Sequence, residues 1–243
     1  MISYRRLLLL AASSAALLTA GLPLAATAQT AEPSAATGEQ SPAAGWPQAT
    51  SDIPADPAIR FGALANGMRY AILRNATPPN QAALRMRIDA GSLSERDDQK
   101  GLAHFLEHMA FNGSKNIPED NGVMHRLERL GLSFGGDTNA FTSFDQTAYT
   151  LNLPNTSDEV VTTSLFVLRE AVSELLIAQD AVDKERGVIV GEERTRNTPD
   201  LRSTKVMLPF LAPGQRLADR MPIGDLDIIR TAPRQLFVDF YDA

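Results

Sequence analysis

Gly101-Leu102-Ala103-His104-Phe105-Leu106-Glu107-His108-Met109 is the stretch around which this chain is organised. It holds two of the chain's 3 histidines, four residues apart, with a carboxylate directly before the second. Leu102, Phe105, Leu106 and Met109 form an apolar stripe at helical spacing, so the stretch is expected to be an amphipathic helix. Positions i, i+3 and i+4 of a helix share one face, which would turn His104, Glu107 and His108 the same way. Two neutral imidazoles suit a divalent metal such as zinc, and a carboxylate beside them can take a proton from the metal-bound water. A polar helix face carrying two histidines by chance is the plain alternative. The apolar stripe beneath them and the scarcity of histidine elsewhere weigh against it.

The order H-x-x-E-H reverses the commoner H-E-x-x-H and is the inverzincin pattern. With 243 residues, 44% of them apolar and 21% charged, the chain can form one large domain or two small ones around a sizeable core. A net charge of −6 names no partner, and no basic patch argues for nucleic acid. There is no cysteine. Disulfides and thiolate metal sites are therefore excluded, and any zinc must be held by histidine and carboxylate.

The N-terminus reads as a leader. Arg5 and Arg6 precede an apolar run over residues 7–18, Pro23 breaks it, and Ala26-Thr27-Ala28 is an A-x-A cleavage site. The alternative is an uncleaved anchor, but the run is short against the about 20 residues a membrane span needs. A signal peptide over residues 1–28 is thus expected, with a periplasmic or secreted mature chain and no stable membrane anchor. Residues 29–58 are rich in Ala, Pro, Ser, Thr and Gly without periodicity and read as a flexible linker, with the only tryptophan, Trp46, inside it. Residues 59–243 are expected to be the folded domain.

Within that domain, Asn66-Gly67 between two apolar runs signals a hairpin. Residues 82–90 and 146–153 alternate as strands. Asp97 or Asp98 is a candidate cap for the motif helix, and Asn112-Gly113-Ser114 marks its end. A second helix is expected after Pro118, with Val123, Leu127 and Leu130 on its buried face and His125 on its surface. Residues 157–176 read as one long helix, and another is expected to open at Gln179 or Asp180. The proline-rich stretch 198–222 reads as loops with a short helix, and residues 232–241 as a final helix. Glu185 and Glu192 lie seven apart and so share a helix face. On spacing alone they read as a solvated charged surface.

The motif and its flanks together resemble the N-terminal catalytic domain of the insulinase/pitrilysin family of zinc metallopeptidases, which includes the mitochondrial processing peptidase. The resemblance is carried by residues 64–73, 82–91 and 101–111, by Asn139-Ala140-Phe141-Thr142 with Asp145, Thr147 and Tyr149, by residues 185–192, and by Pro222-Ile223-Gly224 with Phe240-Tyr241. It implies an α+β fold, a largely antiparallel sheet flanked by helices, as one mitochondrial-processing-peptidase-like domain that is C-terminally incomplete. It implies Zn2+ held by His104, His108 and Glu192, with Glu193 the competitor for the third place, Glu107 as general base and Glu185 as an accessory acid. It also implies that Asn139 and Ala140 lie on an edge strand that pairs with an extended peptide substrate. Two departures stand out. The interval from His108 to Glu192 is several residues longer than is usual in the family, and the second, similar domain that completes such enzymes is missing. The expected activity is zinc-dependent endopeptidase cleavage. The alternative is a non-catalytic or fragment subunit that needs a second similar domain or subunit.

Overall fold

The computed structural model describes residues 45–118 and 122–243, so the expected signal peptide and the first part of the expected linker lie outside the described residues. Two compact units divide at Leu73/Arg74.

In the first unit, β1 (Ile59–Ala63) and β2 (Arg69–Leu73) pair antiparallel, with Ile59 opposite Leu73 and Ala63 opposite Arg69. The chain reverses through Ala65, Asn66 and Gly67. Leu64 N–H donates to Met68 O (2.8 Å), and Gly67 takes the left-handed region at φ +87°. That is the hairpin the Asn-Gly pair signals, because glycine reaches positive φ without a Cβ clash. Trp46 docks on this hairpin. Its indole Nε1–H donates to Gly62 O (3.0 Å), its ring meets Phe61 edge-on, and the Arg69 guanidinium lies over it.

The second unit is built on a three-stranded antiparallel sheet in the order β3 (Ala82–Ile88), β5 (Thr147–Leu153), β4 (Thr138–Thr142). β5 is central and covered on both faces, which explains its near-continuous burial. Helices α2 (Gly122–Arg129) and α3 (Asp158–Ser173) bring Val123, Leu127, Val160, Val167 and Leu168 onto the side chains of the sheet, including Tyr149 and Leu151. A second core joins α1 (Leu102–Met109) to α4 (Gln179–Arg196), α6 (Leu226–Thr231) and α7 (Arg234–Tyr241) through Leu102, Phe105, Met109, Val182, Ile189, Ile229 and Phe237. The rings of Phe105 and Phe237 pack in a tilted arrangement with centroids 4.5 Å apart. The architecture is the expected α+β one, an antiparallel sheet flanked by helices.

Three local expectations change. First, α1 is not capped by Asp97 or Asp98. Those residues form a 3-10 turn whose carboxylates go to Arg220 and Arg96. The cap is Glu95, whose two oxygens accept from Gly101 N–H (3.0 Å) and Ala103 N–H (2.9 Å). A buried carboxylate at a helix start satisfies orphan amides and meets the positive end of the helix dipole. Second, α3 stops at Ser173, and Leu175 bridges to Ser114 instead of continuing the helix. Third, the stretch read as loops with a short helix holds a helix of 13 residues, α5 (Pro199–Leu211). Pro199 occupies its first turn, where a missing N–H costs nothing, and the Thr198 side chain caps it. Pro209 falls in its last turn, where only one ladder bond is lost.

Two glycines set the entry of α1. Gly101 (φ +100°) and Gly224 (φ +77°) touch backbone to backbone, and a Cβ on Gly224 would fall 2.3 Å from Gly101 Cα. Only glycine allows both the approach and the backbone conformation.

Candidate metal centre

α1 places His104, Glu107 and His108 on one face, as the spacing requires, and α4 crosses beside it with Glu185 and Glu192 two turns apart on the facing side. Among the described residues, one group could hold a metal ion: His104, His108 and Glu192. His104 Nε2 and His108 Nε2 are 3.3 Å apart, and Glu192 Oε2 lies 3.4 Å from the first and 3.3 Å from the second. This near-equilateral triangle fits zinc. Bonds of about 2.0–2.1 Å in a tetrahedron hold ligand atoms about 3.3 Å apart. Glu192 Oε2 is buried and has no hydrogen-bond partner, since its histidine contacts lack hydrogen-bond geometry. Buried polar atoms are rarely left so, and a cation at the centre of the triangle would satisfy it.

Glu192, His108 and Glu107 are held from behind, whereas His104 Nδ1 is buried without a hydrogen-bond partner. Arg196 grips the other oxygen of Glu192 at 2.6 Å, one helical turn along α4, which leaves Oε2 for the histidines. Glu185 Oε1 faces His108 Nδ1 at 2.8 Å, and Asn112 Nδ2 donates to Glu185 Oε2 at 2.7 Å. Thr142 on β4 donates its hydroxyl to Glu107 Oε2 at 2.6 Å. Glu107 also borders an apolar cavity of about 170 Å³, lined among others by Ile88, Leu106, Tyr149, Leu175 and Phe240. Burial there pushes the Glu107 carboxyl above the ordinary carboxylate range, and the Thr142 hydrogen bond pulls partly against it.

The two histidines are pushed apart electrostatically. Burial, then the neighbouring His108, lowers His104 to about 4. Burial would lower His108 as well, but its contacts with Glu185 and Glu192 win and raise it to about 9. Burial would raise Glu185, yet His108 and Asn112 hold it low, and the His108 contact does the same for Glu192.

Of the residues singled out in the sequence, five therefore meet in one place: His104, Glu107, His108, Glu185 and Glu192. Glu193 points elsewhere, with Oε1 3.7 Å from Lys205 Nζ. Asn139 and Ala140 lie on β4, which pairs with β5, bridges at its first residue Thr138 to Phe134, and among the described residues has no further strand along its other edge. His125 is exposed, 3.4 Å from Glu128. Asn112, Thr142 and Arg196 touch the site without having been read as site residues. Arg196 follows Glu192 at i+4 and was open to that reading. The other two reach the site by tertiary contact alone.

The chain matches the family model described as Insulinase (Peptidase family M16) over residues 70–208. It is 43% identical over 191 residues to the probable zinc protease PqqL of Haemophilus influenzae, which covers 79% of this chain and 20% of that protein. It is 34% identical to the chloroplastic stromal processing peptidase of Pisum sativum over 72% of this chain and 13% of that protein. Among solved structures it resembles the periplasmic protease PqqL of Escherichia coli, with TM-score 0.75 and 38% identity over 78% of this chain and 21% of that one. The chain thus spans about a fifth of the length of the PqqL relatives it matches.

Proposed function

The chain belongs to the insulinase family of peptidases, and from that premise we propose that it carries the catalytic metal site of a zinc-dependent endopeptidase. The observation that carries the reading is the triangle of His104 Nε2, His108 Nε2 and Glu192 Oε2 with Glu107 beside it on α1. His104, His108 and Glu192 would hold the zinc. When bound, zinc supplies Lewis acidity toward a water and toward the scissile carbonyl. The remaining steps belong to side chains. Glu107 takes the proton of the attacking water and hands it to the leaving amine. Its raised affinity for protons, a result of burial, suits an acid–base shuttle. Glu185, as accessory acid, accepts a hydrogen bond from His108 Nδ1–H, and so keeps the Nε2 lone pair directed into the site.

An extended peptide would add as a strand to the open edge of β4 at Asn139 and Ala140, within reach of Glu107 through Thr142. The domain assignment we favour is a signal peptide over residues 1–28, a linker over 29–58 and the catalytic domain over 59–243. The periplasmic location of the E. coli relative supports export to the periplasm or beyond. No described helix is long and apolar enough to cross a membrane.

A second reading follows from the share of the relatives that the chain spans. The site would then be completed by a second similar domain or subunit, and this polypeptide alone would bind zinc without turning over substrate. Zinc analysis of the purified chain, followed by peptide cleavage with and without the remainder of a related protease, separates the two. Cleavage only on addition supports the second reading. A chain that binds no zinc overturns both.

A further inference from the structure

We propose that Asn112 is a positioning residue of the metal centre, acting on His108 through Glu185. The inference rests on the reading of His104, His108 and Glu192 as metal ligands.

Glu185 is the link. One of its oxygens faces His108 Nδ1 at 2.8 Å, and the other accepts from Asn112 Nδ2 at 2.7 Å. With both oxygens engaged from different directions, the carboxylate cannot rotate without breaking a short hydrogen bond. The ring of His108 is oriented in turn, and its Nε2 is held 3.3 Å from both His104 Nε2 and Glu192 Oε2. A neutral amide suits this task. It fixes the carboxylate without cancelling the charge that strengthens the bond to His108.

Asn112 can do this because its own backbone is anchored. It lies just past α1, where its N–H donates to Met109 O at 3.0 Å. The tight turn that follows is closed by Ser114 N–H to Ile117 O (2.9 Å) and clamped to the end of α3. The clamp is Glu170, a fully buried carboxylate outside the metal group. It accepts from Ser114 Oγ (2.8 Å), Asn116 N–H (3.1 Å) and Asn116 Nδ2 (3.0 Å). Lys115 N–H adds a bond to Glu174 O at 2.9 Å. The amide of Asn112 is therefore presented from a fixed backbone, and its side-chain entropy is largely spent before the metal arrives.

The test is the zinc affinity of the purified full chain, stripped of metal and titrated against a chromophoric chelator. Asn112→Ala should weaken binding by about 10- to 100-fold, the usual effect of removing an outer partner of a metal ligand. The metal-free thermal midpoint should stay near that of wild type. In a Glu185→Ala background the same change should add less than about 2-fold, since the route to His108 is already cut. Asn112→Asp, which keeps the shape and sets a carboxylate against Glu185, should weaken binding at least as much as Asn112→Ala. Wild-type affinity in Asn112→Ala, or an equal loss in the Glu185→Ala background, overturns the inference and leaves the zinc reading intact. A wild-type chain that binds no zinc removes the zinc reading and this inference with it.

Discussion

Thr142 Oγ1 donates to Glu107 Oε2 across 2.6 Å, which ties the edge strand β4 to the motif helix α1. The strand expected to receive substrate and the carboxylate expected to move its proton are thus a single mechanical unit. Thr142→Val should lower kcat of the active assembly by about 10²-fold with little change in zinc content, since small misplacement of a reacting group has that scale. Thr142→Ser should recover most of the loss. Steady-state kinetics with zinc analysis on both variants would decide, and a fully active Thr142→Val would refute the link.

Glu107→Gln should keep its zinc and lose cleavage by about 10²- to 10⁴-fold, because an amide cannot accept the proton. The check is metal content and peptide hydrolysis on one preparation. Undiminished hydrolysis would end the general-base assignment.

The third ligand is testable by a pair of substitutions. Glu192→Gln removes the charged oxygen at the triangle and should weaken zinc binding by well over 10-fold, by the reasoning that a missing ligand costs more than a missing outer partner. Glu193→Gln alters a carboxylate that faces Lys205 and not the triangle, and should leave zinc affinity unchanged. His108→Ala should come off purification without metal, and a chelator should strip the wild type to the same state.

Glu95 predicts a pH dependence of stability. Burial raises its carboxyl to about 7, against the pull of the Gly101 and Ala103 amides and of Arg220. Between the ordinary value of 4.5 and about 7 the folded chain therefore holds a proton that the unfolded chain has released. The contribution of this group is fully present below 4.5 and is lost as pH rises through about 7. Its size is on the order of 3 kcal/mol, from about 1.4 kcal/mol per pH unit. Urea unfolding at pH 5 and pH 8 should show wild type losing stability relative to Glu95→Gln, and a parallel response of the two would contradict the account.

Export tests the proposed signal peptide. Expressed in a bacterium, the mature chain should begin at Gln29, and N-terminal sequencing of the exported protein reads this directly. Retention of residues 1–28 on the exported chain would refute cleavage after Ala28.

Much of the site was legible because its first part is local. His104, Glu107 and His108 are read from the pitch of one helix, with no need to know what that helix packs against. The hairpin at Asn66-Gly67 was legible for the same reason, as a conformational demand of two adjacent residues. The Glu95 cap was not. A carboxylate six residues before Gly101 reaches the helix start only because the 3-10 turn at Asp97–Gln99 folds the chain back, while Asp97 is drawn to Arg220 more than 100 residues away. α5 was expected only as a short helix because its prolines suggest breaks, although the first sits where a helix tolerates it and Pro209 falls near its end.

By itself the sequence determined the chemistry available: two imidazoles and a carboxylate on one turn of helix, no thiol to compete, and glutamates two turns apart further along. Helical periodicity is a property of neighbours, so these needed no fold. Only the tertiary structure decided which glutamate meets the histidines and which side chains hold them. Glu192 and Glu193 are adjacent in the chain, but about 100° of helix rotation separates them. The crossing of α4 over α1, set by Val182 and Ile189 packing with Leu102, Phe105 and Met109, turns Glu192 inward and leaves Glu193 to Lys205. The same packing brings Asn112 to Glu185, and the sheet brings Thr142 to Glu107. Such contacts depend on how buried faces fit, which no local spacing encodes.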